Sequence, residues 1–314
     1  MSEECFDTPI VFIVFKRPRT TRKVFEVISS IRPGRLLIVA DGPRGSVAGE
    51  KEACQQVREI VSAVDWPCEL STNFAGENLG CKERIITGLN WAFSLVEEAI
   101  ILEDDCLPDA SFFPFCKEML ARYREDSRVA TISGTNLVER YLETSDSYFF
   151  GRMVTTWGWA TWRSQWQRYD SQLKNWPEIR RLGLLSEVFE ESRAVSLWTR
   201  VFDEMYENRG VGPNAWDYQW LYMSLIGNAL TIFPTVNLVT NIGFGSDATH
   251  TTGNDTRLTP AVKALAFPLR HPSHLIPLRS MDSRLQRLHY VPLITRIKGK
   301  ISRICRRLFR AFQG

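Results

Sequence analysis

Residues 99–116 read AIILEDDCLPDASFFPFC: an apolar run of strand length stops at three consecutive carboxylates, Glu103, Asp104 and Asp105. Like charges at such close range repel one another, and a divalent cation removes that cost. Oxygen ligands with few protein donors suit Mg²⁺ or Mn²⁺ that shares its coordination sphere with a substrate diphosphate. The alternative is an acidic turn that caps a helix expected over residues 108–122, since acids are common near helix N-termini.

The chain on the N-terminal side of this stretch alternates short apolar runs with amphipathic helices. Continuous apolar runs predict strands, and apolar residues three and four apart predict the helices between them. The order is typical of βαβ units, so we expect an α/β fold of the Rossmann-like kind, with a mostly parallel sheet flanked by helices. The expected strands are 10–15, 35–40, 68–72 and 99–102. One expected helix begins at Thr20 or Thr21, a second covers about residues 50–64, and a third covers about residues 85–93.

Polar residues follow three of these strands. Ligands in open α/β sheets bind outside the carboxyl ends of the strands, and here those ends carry Lys16-Arg17, Asp41-Gly42 and the three carboxylates. The sequence lacks the GxGxxG turn of dinucleotide-binding sites, the GxxxxGK[ST] loop of P-loop nucleotide hydrolases and the GxSxG elbow of α/β hydrolases. An acidic motif in an α/β domain, with basic residues on a neighbouring strand end, fits a bound nucleoside diphosphate.

The composition is that of a globular protein of 314 residues, 44% of them hydrophobic and 24% charged, with a formal net charge of +3. Collagen-like, disordered and disulfide-scaffold classes are therefore excluded. Seven cysteines without a CxxC pair argue against a zinc ribbon and a disulfide framework. No apolar run reaches the roughly 18 to 20 residues that span a bilayer, and the acidic N-terminus lacks an apolar signal core. We therefore expect a soluble chain made in the cytoplasm.

The end of the sequence is strongly basic. All nine basic residues after Asp282 lie in a stretch without a carboxylate, which leaves 30 basic and 36 acidic residues in the rest of the chain. Apolar residues from Ile297 to Phe312 recur at helical spacing, so a basic amphipathic helix is expected. Such a helix binds an anionic membrane surface and would make the protein peripheral on the inner face of the membrane. The alternatives are a docked or disordered tail and nonspecific nucleic-acid binding; no specific nucleic acid partner is expected.

Six segments of the chain carry a family resemblance: IVFIVFKRPRTTRKVFEVI, LLIVADGPR, ENLGCKERIITGLNWAF, AIILEDDCLPDASFFPFCKEML, TTWGWATW and AWDYQWLYMSLIGN. They span about residues 8–245 and resemble the glycosyltransferases of the GT-A fold. ILEDD followed by LPDASFF is the most specific of them. It is similar to the DxD motif of the branch related to N-acetylglucosaminyltransferase I. The chain also resembles the family 2-like nucleotide-diphospho-sugar transferases.

The resemblance implies a donor site built by the strand-end residues. Asp105 would ligate Mn²⁺ or Mg²⁺ directly, while Glu103 and Asp104 would hold the ribose and metal-bound waters. Asp41 would accept a hydrogen bond from the uracil imide of a UDP-sugar, and Arg17 would face the diphosphate or the base. Three further residues would contact the sugar or the phosphates, namely Asn78, Lys82 and Arg84.

The second half of the chain contributes three more candidates under the same resemblance. We expect Trp157 or Trp159 to touch ligand, behind the donor sugar and the acceptor; core packing is the alternative. Asp217 matches the catalytic base, and a carboxylate flanked by tryptophans has a raised pKa suited to general-base work. Its alternative role is to cap a helix over residues 218–227. His250 would complete the metal or diphosphate site, unless it is a solvated loop residue.

These residues predict a glycosyltransferase that moves a sugar from a nucleotide-diphosphate donor to a hydroxyl of a glycan or lipid-linked acceptor, with inversion by a single displacement. Two alternatives remain open. A sugar-phosphate nucleotidylyltransferase would need a glycine-rich loop after the first strand, and KRPRT at residues 16–20 has no glycine. A noncatalytic carbohydrate-binding protein on a degenerate scaffold would not need its acidic residues.

The expected domain organisation follows from the same segments. One GT-A catalytic domain is expected over residues 1–267, with a nucleotide-sugar half over about 1–135 and an acceptor half over about 136–250. A Pro- and His-rich linker is expected over 268–282, and the basic amphipathic tail over 283–314.

Overall fold

The computed structural model of the chain describes residues 5–207, 215–243 and 260–290. Its strands are β1 (Ile10–Val14), β2 (Arg35–Ala40), β3 (Glu69–Phe74), β4 (Glu98–Glu103), β5 (Cys106–Pro108), β6 (Val129–Ser133), β7 (Tyr148–Gly151), β8 (Trp159–Trp162), β9 (Leu230–Pro234) and β10 (Val239–Asn241). Eight of them form one sheet in the order β3-β2-β1-β4-β8-β6-β9-β7, and β5 pairs with β10 in a separate ribbon.

Helices cover both faces of the large sheet. They are α1 (Pro18–Ile31), α2 (Glu50–Ser62), α3 (Cys81–Leu95), α4 (Phe112–Tyr123), α5 (Arg163–Trp166), α6 (Trp176–Leu182), α7 (Leu185–Val188), α8 (Ser192–Glu207), α9 (Asp217–Ile226) and α10 (Arg279–Leu285). A 3₁₀ turn over Glu139–Tyr141 and a π-helical turn over Gln286–Tyr290 complete the described elements. One core lies between the sheet and α1, α2 and α4, and the other lies between the sheet and α3, α8 and α9.

The sheet is mostly parallel. Strands β1 to β4 are parallel neighbours, and β6 pairs in parallel with β9. Strand β8 runs antiparallel between β4 and β6, and β7 is antiparallel to β9. The expected α/β fold with a mostly parallel sheet flanked by helices is therefore confirmed.

The first helix begins earlier than the sequence suggested. We expected Thr20 or Thr21 to open it, whereas α1 begins at Pro18 with Arg17 at the N-cap. Proline suits the first helical position because its missing N–H needs no partner there. The two threonine hydroxyls instead donate back to the Arg17 carbonyl oxygen, at 3.2 and 2.8 Å.

The acidic triplet does not cap a helix. Strand β5 follows it directly, and α4 begins only at Phe112. Asp109 is the carboxylate near the start of that helix, where its Oδ1 accepts hydrogen bonds from the Ser111 N–H and hydroxyl at 2.9 and 2.5 Å. Helix capping, the alternative explanation for the triplet, is therefore not what these three residues do.

Two glycines make room for the start of β10. A Cβ at Gly134 would lie 2.4 Å from Val239 Cγ2, and one at Gly158 would lie 2.7 Å from the same methyl group. Gly158 also has a positive φ of 67°, which L-residues with a side chain rarely adopt. The Gly134 N–H donates to the Gly158 carbonyl oxygen at 2.8 Å, so the three positions form one tight contact.

The segment after residue 260 packs along β7. The Ser147 N–H donates to the Arg270 carbonyl oxygen, and the Leu278 N–H donates to the Phe150 carbonyl oxygen, both at 2.8 Å. Asp282 in α10 accepts hydrogen bonds from the N–H groups of Arg152 and Met153. None of the helices in the described part of the chain is long and apolar enough to cross a membrane. The tail from residue 291 onward lies outside the described residues.

Candidate functional site

The candidate site lies where the carboxyl ends of β1, β2 and β4 meet. Because these parallel strands are neighbours in the sheet, the residues that follow them come to one edge: Arg17, Asp41 and the carboxylate cluster, by which we mean Glu103, Asp104 and Asp105. The order of the strands in the sheet therefore brings these strand ends together, as the sequence predicts.

Arg17 lies over the carboxylate cluster. Its Nη1 donates to Asp105 Oδ2 at 2.5 Å and to Asp104 Oδ1 at 3.4 Å. Burial lowers the pKa of Arg17, but the charges of the carboxylate cluster and the hydrogen bond to Asp105 together raise it by more, so the net shift of the pKa is upward. The guanidinium is thus held as a fixed positive charge between two acidic side chains.

Glu103 and Asp104 carry raised pKa values. Burial is the largest cause for both carboxyls, followed by the charge of Asp105. Asp104 also accepts a hydrogen bond from the Phe15 N–H at 3.1 Å. Negative charge is therefore costly at this strand end, and an added cation would stabilise it.

The ribbon of β5 and β10 brings a distant segment to Asp105. The Ile242 N–H donates to the Asp105 carbonyl oxygen at 2.7 Å, and Asn241 Nδ2 donates to Asp105 Oδ1 at 3.3 Å. A Cβ at Gly243 would lie 2.2 Å from Asp105 Oδ2, so only glycine fits this close approach. Sequence reasoning missed Asn241, because the pairing of β10 with β5 carries no local signal.

Asp217 lies at the same edge as the carboxylate cluster. It is the first residue of α9, and burial raises its pKa to about 6 although the N–H groups of Asp217 and Tyr218 act in the opposite direction. Its charge in turn raises the pKa of Glu103. The structure therefore brings together the two acidic groups that the sequence placed 112 to 114 positions apart.

Cys81 is a second marker of this shared edge. It is the first residue of α3, and the pKa of its thiol is raised by burial and then by the charges of Glu103, Asp217 and Asp105. The N-terminal end of α3 thus lies among all three carboxylates. Sequence reasoning did not single out Cys81, since a lone cysteine is usually a small buried hydrophobe.

Trp159 lies in the core. Its side chain is 1% exposed, and its ring stacks on Trp216 with centroids 5.4 Å apart and planes 28° from parallel. It also packs against Trp166 and Trp220. In this conformation Trp159 packs against other rings, as in the core-packing alternative, and Trp157 is half-buried. The expected ligand contact of Trp157 or Trp159 stays a prediction.

Asp41 holds a loop. Its Oδ1 accepts from the N–H groups of Gly42 and Leu79 at 2.8 and 2.9 Å. Its Oδ2 accepts from Asn78 Nδ2 and from the Gly80 N–H at 2.8 and 3.2 Å. A carboxylate offers about four lone-pair sites, and protein donors fill them here. Asn78 is engaged in the same loop, and the expected contact of Asp41 with a uracil imide stays a prediction.

The two basic candidates on α3 are also engaged by the protein. The Lys82 side chain is buried, and burial lowers its pKa. In the amide orientation of Gln219 that satisfies its neighbours, the side-chain oxygen accepts a hydrogen bond from Lys82 Nζ at 3.1 Å. This bond links α3 to α9. Arg84 Nη2 donates to the carbonyl oxygen and the Oδ1 of Asn73, at 2.5 and 2.8 Å.

Lys16 pairs with a carboxylate that sequence reasoning missed. Glu50, the first residue of α2, is 2% exposed. It accepts from Lys16 Nζ at 2.5 Å and from Arg44 Nε at 2.9 Å. Hydrogen bonds from Arg44 are the largest cause that lowers the pKa of Glu50 to about 2. The two adjacent basic residues after β1 therefore form ion pairs with different carboxylates.

The residues at the edge fit an open metal site. The donors of the cluster are carboxylate oxygens, which Mg²⁺ and Mn²⁺ prefer, and the Arg17 guanidinium occupies the place of a cation beside them. Across residues 5–207, 215–243 and 260–290, no three or more His, Cys, Asp or Glu side chains converge so as to enclose a metal ion. His250 lies outside the described residues.

Comparisons with known proteins give only weak similarities. No family model and no curated protein matches the chain. The mannosyltransferase PcManGT from Pyrobaculum calidifontis, solved with GDP-Man and Mn²⁺, is 17% identical over 51% of this chain and 46% of its own length, with a TM-score of 0.36. The UTP-bound UGPase from Acinetobacter baumannii is 9% identical over 73% of this chain and 85% of its own, with a TM-score of 0.38.

The match spans less than half of the mannosyltransferase. At these scores neither protein assigns an activity to this chain, and the side chains of the site must carry the inference.

Proposed function

We propose that the chain is a metal-dependent glycosyltransferase of the GT-A fold, which moves a sugar from a UDP-sugar to a hydroxyl of a glycan or lipid-linked acceptor. One observation carries the proposal: Asp217 lies close enough to the carboxylate cluster for its charge to raise the pKa of Glu103. In this proposal, the base for the acceptor and the acidic site for the cation of the diphosphate share one edge of the sheet. Single displacement requires that proximity.

Asp217 acts as the general base in this proposal. A carboxyl with a pKa of about 6 is mostly ionised at neutral pH, yet it is basic enough to take a proton from a hydroxyl that attacks the anomeric carbon. The attack comes from the side opposite the departing diphosphate, so the product has inverted configuration. The stacking of Trp216 on Trp159 fixes the residue before the base.

The carboxylate cluster binds the donor's cation in this proposal. Asp105 would hold the Mn²⁺ or Mg²⁺ ion directly, with Glu103 and Asp104 beside it. When bound, the ion neutralises the charge that grows on the diphosphate as it leaves. Arg17 would bind the diphosphate oxygens, because a guanidinium at the edge of this cluster is a strong donor to phosphate.

The nucleotidylyltransferase alternative is disfavoured by the loop after β1. That loop has no glycine, and only three residues separate the end of β1 at Val14 from the start of α1 at Pro18. Backbone N–H groups of a glycine-rich loop, which would cradle a triphosphate, are therefore absent from this described segment. A noncatalytic role is disfavoured because a degenerate scaffold would not need to keep the carboxylate cluster and Asp217.

Membrane association is part of the same proposal. A basic amphipathic tail would hold the enzyme at the cytoplasmic face, where lipid-linked acceptors are found. A chain truncated after residue 290 should move from the membrane to the soluble fraction, with donor hydrolysis unchanged. If the truncated protein stayed in the membrane fraction, the tail would not be what holds the enzyme at the membrane.

The experiment that tests the catalytic proposal measures release of nucleoside diphosphate from UDP-, GDP- and dTDP-sugars, with and without Mn²⁺. The wild-type chain should hydrolyse a UDP-sugar only with the metal. Asp217→Asn should lower the rate about 100-fold or more and leave donor binding intact, since it removes only the base. Asp105→Asn should abolish metal-dependent binding.

Asp126→Asn is the matched control, because Asp126 pairs with Arg128 on the surface; its rate should equal that of the wild type. Full activity in Asp217→Asn would contradict the proposal. Release of pyrophosphate from UTP and a sugar 1-phosphate, without hydrolysis of the UDP-sugar, would establish the nucleotidylyltransferase instead.

A further inference from the structure

Both oxygens of the Asp105 carboxylate already have donors. Arg17 Nη1 donates to Oδ2 at 2.5 Å, and Asn241 Nδ2 donates to Oδ1 at 3.3 Å. The first is a short, charge-assisted contact, and the second is a long contact with a neutral amide. A cation that binds Asp105 must therefore share or displace one of these donors, and the guanidinium is the one whose charge it would oppose.

We propose that Arg17 is a built-in counter-cation that competes with the metal ion for Asp105 and is transferred to the donor diphosphate when the ion binds. The proposal rests on the metal-dependent function proposed above and adds a coupling between its two ligands. Arg17 acts here as a positioning residue that links the metal site to the phosphate site.

The position of Arg17 favours such a transfer. Its backbone is fixed as the N-cap of α1, and both threonine hydroxyls of the first turn donate to its carbonyl oxygen. The side chain, which is 19% exposed, can therefore turn about a rigid attachment point. Of its contacts with the two aspartates, the one to Asp105 at 2.5 Å is shorter than the one to Asp104 at 3.4 Å.

The charges give the direction of the coupling. Without ligand, Arg17 offsets the repulsion within the carboxylate cluster, so it lowers the gain from a metal ion. A diphosphate attracts the guanidinium away from Asp105 and so raises the affinity for the ion. Because binding couplings are reciprocal, the ion must raise the affinity for the diphosphate by the same factor.

The test measures Mn²⁺ binding to the full chain by electron paramagnetic resonance, without nucleotide and then with saturating UDP. Arg17→Gln should bind Mn²⁺ alone about tenfold more tightly than the wild type, because the competing charge is gone. It should bind UDP about tenfold more weakly in saturating Mn²⁺, because a charged donor to phosphate is lost. The two affinities change in opposite directions, which general damage to the site would not produce.

Two further variants sharpen the result. Arg17→Lys keeps the positive charge and should bind Mn²⁺ alone nearly as weakly as the wild type. Arg44→Gln is the matched control: it removes a guanidinium that pairs with Glu50 rather than with the carboxylate cluster, and it should leave Mn²⁺ affinity unchanged.

A measurement on the wild-type chain makes the test independent of how the variants fold. Addition of Mg²⁺ should shift the side-chain nitrogen resonance of Arg17, which is identified by its absence from Arg17→Lys. A resonance that stays in place while Mg²⁺ binds overturns the inference.

The outcomes separate the two proposals. Mn²⁺ affinity that is unchanged or weaker in Arg17→Gln overturns the role of Arg17, while metal-dependent hydrolysis by the wild type still supports the proposed function. Failure of both wild type and Arg17→Gln to bind Mn²⁺, with UDP present or absent, overturns both.

Discussion

Trp159 of β8 stacks on Trp216, the residue that precedes Asp217, with ring centroids 5.4 Å apart. The contact ties the start of α9 to a strand in the middle of the sheet. The carboxylate proposed as the base therefore extends from a fixed point of the core, and its position depends on a tryptophan that need not touch substrate.

Replacement of this tryptophan should affect both stability and turnover. Trp159→Leu should lower the free energy of unfolding by about 3 kcal/mol, because it leaves a cavity among stacked rings. It should also lower kcat while the Kd for the donor changes little. Urea denaturation and steady-state kinetics measure the two effects.

Trp66→Leu is a suitable control for this change. Trp66 is also buried, and it packs against Phe25 of α1 in the other core. Its loss should destabilise the protein to a similar extent and leave the kcat of the folded fraction unchanged. A large rise in the donor Kd of Trp159→Leu, without a loss of stability, would instead identify Trp159 as a ligand contact.

The pH dependence of the reaction should follow Asp217. Burial raises its pKa to about 6, and the base works only when it is ionised, so kcat/KM should fall as the pH decreases through about 6 and level off above it. The rate measured between pH 5 and 8, with circular dichroism to confirm folding, gives the profile. A profile that is flat across this interval would remove Asp217 from the role of base.

Asp41 should contribute to stability more than to the choice of nucleotide. Asp41→Asn replaces an acceptor of four hydrogen bonds with a group that also carries donors, so the free energy of unfolding should fall by about 2 to 3 kcal/mol. The relative thermal stabilisation by UDP and GDP should not change. Asp170→Asn is the control, since it alters a partly exposed carboxylate that also accepts backbone N–H bonds. Loss of the preference for UDP in Asp41→Asn alone would show that Asp41 reads the base.

Glu50 should make the free energy of unfolding depend on pH in the acidic range. Its pKa falls from 4.5 to about 2 on folding, chiefly through hydrogen bonds from Arg44. A carboxyl whose pKa is lower in the folded state stabilises that state at pH values above its pKa in the unfolded chain. This stabilisation is lost as the pH falls through its pKa in the folded state. Glu50→Gln should destabilise the protein by about 3 kcal/mol at pH 7.

The difference between wild type and Glu50→Gln should narrow between about pH 4.5 and 2, the interval set by the two pKa values of Glu50. Denaturation by urea at several pH values measures it. A constant difference over this interval would mean that the ion pairs of Glu50 do not form.

The sequence predicts the parallel part of the sheet well, because apolar runs such as those of β1 and β4 are buried on both faces and need no knowledge of their partners. It does not predict β8, which joins the sheet antiparallel between β4 and β6. Pairing between distant segments has no signature in either segment alone. The same limit hides Asn241, whose approach to Asp105 depends on the ribbon of β5 and β10.

The candidate site is predictable to the extent that charge patterns determine it. The acidic triplet and Asp217 stand out because carboxylates next to apolar residues are costly to bury. The partner of each charge is a different matter: Lys16 and Arg17 are adjacent, yet one pairs with Glu50 and the other with Asp105. Asp41 shows the same limit, since only the folded loop supplies the four donors that occupy it.

The contact of Gly134 and Gly158 with Val239 has a consequence for how homologous sequences should vary. A side chain at either glycine would need a smaller residue at position 239, so substitutions at these sites should be correlated across more than 80 positions of chain. In an alignment, two invariant glycines paired with a small or β-branched residue would identify distant relatives whose acidic motif has changed beyond recognition.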